Sequence, residues 1–423
     1  MVSRTVQRTA GYLIGGFAAA QATAIAAVTV ADELRKRRSP QSGEFPRTEP
    51  VTVDGAGSKM TVFTYGADLF EDMLAEIENA TQRVFFETFI WKPGVVGRRF
   101  KDALIAAAKR GVEVYIIVDR FGNLNVLDWE FKSWPDIAGL HVMKFPLIRP
   151  GLIIGNPRQT GRDHRKLLIV DSTVAYVGGY NIGDMYATQW RDTHLRVEGD
   201  AAWELENSFI DFWNDHRERK IHDRLFGDAL PSLPDKGARR WDARVEAASN
   251  SPYRLLFPVR GMYCDALDRA NSHAYITMGY FIPDREILHA LVGAANRGVT
   301  VRVLIPEYSN HIIADWAARP YYSDLIDAGV ELWLFQDAMV HAKTMTVDGR
   351  WTTIGTTNID RLSMTGNFEV NLEVHSAELA EHMEKVFEVD LTNSRLLTPQ
   401  EWAGRARIKQ VGERLIRPLG PLL

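Results

Sequence analysis

Residues 164–171 read HRKLLIVD and residues 341–348 read HAKTMTVD, so the pattern His-x-Lys-x-x-x-x-Asp occurs twice in this 423-residue chain. The two histidines are 177 residues apart (341 − 164). The same offset aligns further residues of matching type, namely Gly178 with Gly355, Asn181 with Asn358, Ile182 with Ile359, and Asp192 with Glu369. A register that persists over so many positions is typical of an internal repeat, and it predicts two homologous halves.

The residues around each tract predict an α/β fold. Each tract enters an apolar run, which a short turn separates from a second apolar run. This pattern predicts two adjacent strands of a sheet in each half. Upstream, KRGVEV at 109–114 and NRGVTV at 296–301 each follow an alanine-rich stretch and lead into a β-branched run. A helix that stops at glycine and is followed by a strand is the expected structure of both segments.

The composition limits the possible classes of protein. With 46% hydrophobic and 25% charged residues, the chain has the composition of a globular protein. A net charge of −4 argues against a protein that coats nucleic acid by bulk electrostatics. One cysteine, Cys264, excludes an intrachain disulfide framework.

The N-terminus contains a hydrophobic segment. Residues 10–31 carry no charge over 22 positions, which is long enough to span a bilayer. We expect an uncleaved membrane anchor, and a secretory signal is the alternative. The basic residues 35–38 that follow predict a cytoplasmic catalytic body under the positive-inside rule, although the orientation stays open.

The chain therefore divides into four predicted segments. They are an anchor or signal-like helix at 1–39, a first half at 40–222, a connection at 223–250 that is rich in proline and glycine, and a second half at 251–423. Basic residues and helix-like apolar spacing at 405–423 are typical of a helix on an anionic lipid surface, or of an amphipathic helix packed on the body.

The repeated residues are those that phosphodiester chemistry requires. Such a reaction needs a nucleophile, a proton donor for the leaving oxygen, and cations or neutral donors for the nonbridging oxygens. The two candidates for the histidine roles are His164 and His341. One of them would form a phosphohistidine, and the other would protonate the leaving group and then activate the acceptor. The groups expected to bind the phosphoryl oxygens are Lys166, Lys343, Asn181 and Asn358.

Carboxylates complete the expected site. Asp192 and Glu369 follow their tracts at the same spacing and are the candidates for orienting the imidazoles. Asp171 and Asp348 close strands at turns, so we predict a structural role for them. A lysine two residues after each histidine would repel a divalent cation, and we predict neither a metal nor another cofactor.

The segments 162–166, 178–182 and 190–194 resemble the phospholipase D superfamily, and most closely its bacterial cardiolipin synthase branch. Further matches lie at 280–284 and 367–373, and the resemblance spans roughly residues 51–423. It implies two α/β/α halves around one shared metal-independent site, preceded here by the hydrophobic N-terminal helix. It also implies that His164 is the nucleophile and His341 the acid and then the base, with Asp192 and Glu369 orienting them.

The function implied by this resemblance is transfer of a phosphatidyl group from one phosphatidylglycerol to another, with release of glycerol, at a cell membrane. The alternatives are hydrolysis of phospholipid, or less plausibly nucleic acid, by the same site, and a membrane-anchored binding protein with an inactive site. We expect anionic phospholipid and membrane as partners, and no nucleic acid. Thr356 replaces the usual serine of the second motif, and Met278 and Gly279 stand where Thr-Pro is common. These departures leave the acceptor, a lipid alcohol or water, open.

Overall fold

Two eight-stranded sheets organise the residues that the computed structural model describes, which are 4–147, 161–217, 230–234 and 242–422. The strands of the first half are β1 (Val51–Gly55), β2 (Ser58–Phe63), β3 (Arg83–Thr88), β4 (Glu113–Asp119), β5 (Leu140–Phe145), β6 (Leu167–Val170), β7 (Val174–Gly178), β8 (Trp190–Arg191) and β9 (His194–Glu198). All but β8 form one sheet in the order β1-β2-β9-β7-β6-β3-β4-β5.

The second half repeats this arrangement. Its strands are β10 (Val245–Asn250), β11 (His273–Met278), β12 (Thr300–Pro306), β13 (Glu331–Phe335), β14 (Met339–Val340), β15 (Lys343–Val347), β16 (Trp351–Gly355), β17 (Glu369–His375) and β18 (Ser394–Leu396). The order of the sheet is β10-β17-β16-β15-β11-β12-β13-β18. In each half three strands run parallel, β3-β4-β5 or β11-β12-β13, and an antiparallel group continues the sheet. The prediction of two homologous α/β halves is confirmed.

Helices cover both sheets. Those before the second sheet are α1 (Arg4–Arg38), α2 (Gly66–Asn79), α3 (Val95–Lys109), α4 (Trp129–Lys132), α5 (Asp184–Thr188) and α6 (Ala202–His216). Those that follow β10 are α7 (Pro258–Arg269), α8 (Arg285–Asn296), α9 (Ile312–Asp327), α10 (Arg361–Thr365), α11 (Ala377–Leu391), α12 (Pro399–Ala403) and α13 (Arg407–Ile416). Short 3₁₀ turns occupy Pro252–Arg254 and Arg417–Leu422.

The two predicted helix-to-strand units are present at corresponding places. Helix α3 buries Phe100, Leu104 and Ala107 along one face, as helical periodicity requires. It ends before Gly111, and α8 ends before Gly298, and both glycines have positive φ angles (93° and 90°). That left-handed conformation is the usual way to end a helix, and it turns the chain directly into β4 or β12.

The His tracts also form the predicted hairpins. Strand β6 pairs antiparallel with β7, and β15 pairs with β16, and every residue of these four strands is buried. Strands that are buried on both faces consist mostly of consecutive apolar or small residues, and the sequence shows this pattern in these four strands.

The halves share a core and two short backbone pairings. One hydrophobic cluster joins β6 and β7 and helix α6 of the first half to β17 of the second. Strand β8 pairs in parallel with β14, immediately before His341. Asp163 forms an isolated bridge with Phe368, immediately before His164 and Glu369. These cross-pairings place each tract beside the other half.

The predicted N-terminal helix is present as α1. Its later turns pack on the second half, where Val28 is buried and the side-chain amide of Gln21 donates to the carbonyl of Leu415 at 3.0 Å. Among the residues described, none of the helices combines the length and the hydropathy that a membrane crossing needs. Half of the predicted connection at 223–250 lies outside the described residues, and β10 at its end already belongs to the second sheet.

Candidate active site

The two repeated histidines lie in one buried cluster, and each contacts a carboxylate of the other half. His164 Nδ1 lies 2.9 Å from Glu369 Oε1 and 3.1 Å from Oε2. His341 Nδ1 lies 2.6 Å from Asp192 Oδ2. Sequence spacing identified the four residues but not this exchange of partners. For these four site residues, each pair of histidine and carboxylate is complete only when both halves are present.

Backbone hydrogen bonds between the halves produce the exchange. The amide of His164 donates to the carbonyl of Phe368 at 3.0 Å, and the amide of His341 donates to the carbonyl of Arg191 at 2.7 Å. Each histidine therefore lies across from the residue that immediately precedes its carboxylate. The two contacts are related by the same pseudo-symmetry as the sheets.

Neutral imidazoles in this arrangement can act as nucleophile or base. Burial, together with the charges of the nearby lysines, lowers the pKa of His164 well below its usual range and that of His341 to about 3. Where the partner carboxyl group is ionised, a proton on Nδ1 is shared with it, and the lone pair of Nε2 points away from it. Nε2 is then the reactive atom of both rings.

The carboxylates have different environments. Burial raises the pKa of Glu369 to about 8, although Lys166 and the hydroxyl of Thr356 work against this shift. Burial also acts on Asp192, but the charge of Lys343 and the bond to His341 outweigh it and hold the pKa below its ordinary value. Asp192 is therefore ionised at neutral pH, whereas Glu369 is mostly protonated below pH 8.

Two buried lysines provide positive charge. Lys166 Nζ donates to the carbonyl of His164 at 2.7 Å, and Lys343 Nζ donates to that of His341. Burial lowers the pKa of Lys166 to about 8 and that of Lys343 to about 7, and the carboxylates oppose this shift. A bound phosphate anion would stabilise their charged forms, so the lysines are suited to bind one.

Asn181 and Asn358 lie beyond the same ends of the hairpins as the lysines. Leu167 pairs with Val177, so the chain after β7 returns to the start of the first tract, and the second half repeats this. The side-chain oxygen Oδ1 of Asn181 accepts from the amide of Ile90 at 3.2 Å, whereas Asn358 Oδ1 is buried without a hydrogen-bond partner among the residues described. Phosphate binding by the two side-chain amides stays a prediction.

Thr356 is a site residue that sequence reasoning treated only as a departure. Its hydroxyl donates to Glu369 Oε2 at 2.5 Å and accepts from the amide of Val370 at 3.0 Å. The equivalent residue is Gly179, where a Cβ would lie 2.1 Å from Asp192 Oδ1. Threonine in one half and glycine in the other therefore fit two carboxylates of different length.

Aromatic rings form the walls of the cluster. The Phe89 ring packs edge-on against His164 at 4.8 Å, and Trp190 and Tyr280 contact His341 at 5.1 and 5.8 Å. Gly279, which was noted as unusual, allows the close approach, since its Cβ would lie 3.0 Å from the His341 Cα. The rings exclude water and restrict how the imidazoles can turn.

The first half has an additional buried ion pair. Arg165 binds both carboxylate oxygens of Glu87, at 3.0 and 2.6 Å. Burial, with Glu87 nearby, raises the pKa of Asp163 well above its usual value. Val340 and Ala342 take the places of Asp163 and Arg165 in the second half. The ion pair beside His164 is therefore not repeated at the corresponding positions of the second half.

Asp171 and Asp348 lie away from the cluster. Asp171 accepts backbone N–H groups at the start of β3, from Thr81, Gln82 and Arg83, at 2.8–2.9 Å. Asp348 does the same at the start of β11. These contacts support the structural role proposed for both.

Metal binding is not suggested by the geometry of the described residues. No group of three or more histidine, cysteine, aspartate or glutamate side chains among them is arranged to hold an ion. The absence of a metal requirement stays a prediction.

Comparison with known proteins gives consistent results for both halves. A family model described as "Cardiolipin synthase, PLD-like domain" matches residues 73–213 and 263–391. A cardiolipin synthase of Staphylococcus epidermidis is 32% identical over 373 residues, which cover 86% of this chain and 74% of that protein. The major cardiolipin synthase of Bacillus subtilis is 32% identical over 382 residues, covering 88% and 76%.

A solved structure shares the fold. The crystal structure of phosphatidylserine synthase from Haemophilus influenzae Rd KW20 superposes with a TM-score of 0.63 over 92% of this chain and 97% of that one. At 13% identity this similarity concerns the fold alone.

Proposed function

Because this chain belongs to the phospholipase D-like family of cardiolipin synthases, we propose that it transfers a phosphatidyl group from one phosphatidylglycerol to a second and releases glycerol. The observation that carries the proposal is the pair of crossed contacts, His164 with Glu369 and His341 with Asp192. They give one site two imidazoles with separate carboxylate partners. A double displacement at phosphorus needs such a pair.

In the first step, Nε2 of His164 attacks phosphorus, and the bond from phosphorus to the glycerol oxygen breaks. The negative charge of the bound lipid raises the pKa of His341 from the low value that burial sets, so that His341, protonated on Nε2, gives its proton to that oxygen. The ionised Asp192 stabilises this imidazolium, and the substrate's own negative charge favours it further. Lys166, Lys343, Asn181 and Asn358 hold the nonbridging oxygens as their charge rises.

In the second step, the neutral His341 takes the proton of an incoming hydroxyl, which attacks phosphorus. The bond to His164 breaks, and the phosphatidyl group passes to the acceptor. With a second phosphatidylglycerol as acceptor the product is cardiolipin. Asp192 and Glu369 keep the Nδ1 atoms fixed through both steps.

A lipid substrate places the enzyme at a membrane surface, and α13 supports such a location. Ile416 and Glu413 pack α13 onto the body, whereas the apolar Ile408 and Val411 and the basic Arg407, Lys409 and Arg414 are exposed. A helix that shows basic and apolar residues outward suits an anionic lipid surface. The cytoplasmic orientation of the catalytic body stays a prediction.

Incubation of the purified full chain with vesicles of labelled phosphatidylglycerol tests this function. We expect cardiolipin and free glycerol to appear in equal amounts. Phosphatidic acid without cardiolipin would instead indicate transfer to water and would refute the synthase assignment.

A further inference from the structure

Large apolar side chains are unusually exposed in the connection between β4 and β5. Leu127 is 84% exposed and Trp129 is 83% exposed, and Phe121 and Leu124 are also more than half exposed. Clusters of exposed apolar residues on a soluble body usually mark a binding surface.

A cavity of about 510 Å³ lies beneath these residues. Its apolar walls include Trp91, Val126, Phe131 and Trp134 together with Leu127 and Trp129, and Arg120, Lys132 and Lys144 also line it. The volume falls within the range of about 300–1,000 Å³ that is common for small-molecule sites. Apolar walls with basic residues suit a ligand that has a hydrocarbon part and an anionic part.

Hydrogen bonds connect the cavity wall to the nucleophile. Asn123, which lines the cavity, donates to the carbonyl of Phe89 at 2.9 Å, and the Phe89 ring packs on His164. Asp119, also in the wall, accepts from the amide of Asp163 at 3.1 Å. Two residues of the cavity wall therefore bind the backbone segments that carry Phe89 and His164.

The corresponding connection of the second half contacts α1 and the segment that follows it. It follows β12, and there the guanidinium of Arg35 from α1 lies 3.8 Å over the ring of Tyr308. The side chain of Gln41 donates to the Tyr308 carbonyl at 3.4 Å. The two substrate positions of a transferase would thus have different surroundings.

We propose that the cavity between Trp91 and Trp129 binds one fatty acyl chain of the phosphatidyl donor. The proposal rests on the proposed transferase function. After glycerol leaves, the diacylglycerol part stays bonded to phosphorus on His164, so a site for its acyl chain must adjoin that histidine. Leu127 and Trp129 form the rim across which the chain passes from the bilayer, and the basic residues offset the charge of the phosphate.

Chain-length dependence below the micelle concentration tests the proposal in solution. The full chain is assayed with dibutyryl and dioctanoyl phosphatidylglycerol, which differ by four methylenes in each acyl chain. Burying one methylene strengthens binding by about fourfold. With four more methylenes of one acyl chain buried, we expect kcat/KM to be up to about 200-fold higher for the longer lipid. Leu127→Asp combined with Trp129→Asp should reduce this preference at least tenfold.

Val51→Asp is the matched control, because Val51 is an exposed aliphatic residue of the same half in β1, at the opposite edge of the sheet from β5. Its preference should equal that of the unmodified chain. An unchanged preference in the double variant would refute the acyl site. An equal loss of kcat/KM with both lipids in the double variant would also refute the acyl site, because the loop would then act on the catalytic geometry.

A binding measurement separates this proposal from the transferase function. Phosphatidylglycerol brominated on its acyl chains quenches tryptophan fluorescence on contact, and we expect a component of that quenching to disappear in Trp129→Phe. If no phosphatidylglycerol is turned over, the transferase function fails, yet Trp129-dependent quenching would still support the acyl site. Quenching that is identical in Trp129→Phe would refute the site whatever the turnover.

Discussion

Replacing Thr356 with valine removes one hydroxyl from the His164 side of the site while keeping the size of the side chain. That hydroxyl donates to Glu369 and accepts from the amide of Val370. Glu369 accepts the Nδ1 proton of His164 far more strongly as a carboxylate than as a protonated carboxyl group. Turnover should therefore rise with pH through the pKa of Glu369, which burial raises to about 8.

The size of the effect follows from the lost hydrogen bond. A hydrogen bond to a charged group is worth about 1.5–3 kcal/mol, which corresponds to about one to two pKa units. Without it the pKa of Glu369 rises further, so the acid limb of kcat should move upward by about one to two pH units. At pH 7 the ionised fraction, and with it kcat, should fall roughly 10- to 100-fold. Because the Val370 amide also loses its acceptor, the free energy of unfolding should fall by about 1–3 kcal/mol.

The assay is a profile of kcat against pH at saturating phosphatidylglycerol, since kcat reports the complex, in which bound phosphate keeps Lys166 and Lys343 charged. Thr356→Ser is the control, because it keeps the hydroxyl, and its profile should match that of the unmodified chain. Activity of Thr356→Val should recover at high pH. A loss by the same factor at every pH would refute the assigned role of Thr356 and the protonation argument for Glu369.

Three further substitutions test other parts of the account. Asp192→Asn keeps the shape but removes the charge that stabilises protonated His341, so kcat should fall at least about 100-fold while the melting temperature changes little; an unchanged kcat would refute the acid role of His341. Lys343→Met should raise KM for phosphatidylglycerol and lower kcat/KM by about 100-fold or more through the loss of a charged hydrogen bond to phosphate, and a change confined to stability would contradict that role. Asp171→Ala removes the acceptor of backbone N–H groups at the start of β3 and should lower the free energy of unfolding by about 1–3 kcal/mol without changing kcat. Burial acts on the Asp171 carboxyl, but these N–H groups outweigh it and hold its pKa below the ordinary value of 3.8, so the destabilisation should be full above about pH 4 and shrink as pH falls through the lowered pKa. Denaturant titrations at several pH values measure this, with Asp171→Asn as a control that keeps one acceptor oxygen, and a loss of stability that does not depend on pH would contradict the electrostatic part of the argument.

The repeat accounts for most of what could be predicted from the sequence. An offset of 177 residues at chemically matched positions reveals two halves, and local hydrophobic patterns reveal the hairpins β6-β7 and β15-β16. Glycines at 111 and 298 mark helix ends because only a left-handed conformation turns the chain there. Each of these features depends on residues that are close in sequence.

The exchange of carboxylates could not be predicted, because it depends on contacts between distant segments. The bridge from Asp163 to Phe368 and the pairing of β8 with β14 decide that His164 meets Glu369 and His341 meets Asp192. The shared offset of 177 residues shows that the two halves are equivalent, but it does not show which half supplies the carboxylate partner of each histidine. The different roles of Gly179 and Thr356 depend on this same contact.

The surroundings of α1 could not be predicted from the sequence either. The stretch 10–31 is uncharged, which favours a membrane segment, but its alanines and glycines also let a helix approach a protein surface closely. The structure shows this packing at Ala24 and Val28, which contact the core of the second half. Composition alone does not distinguish the two environments.

The central claim is that one site uses both histidines, with His164 as the nucleophile. His341→Ala removes the proton donor and the base but leaves His164 and Glu369 in place. Brief incubation of this variant with phosphatidylglycerol labelled in its phosphate, followed by alkaline denaturation and peptide mass spectrometry, should find a phosphatidyl group on His164. Label on another residue, or none in this variant while the unmodified chain turns over the same lipid, would contradict the account.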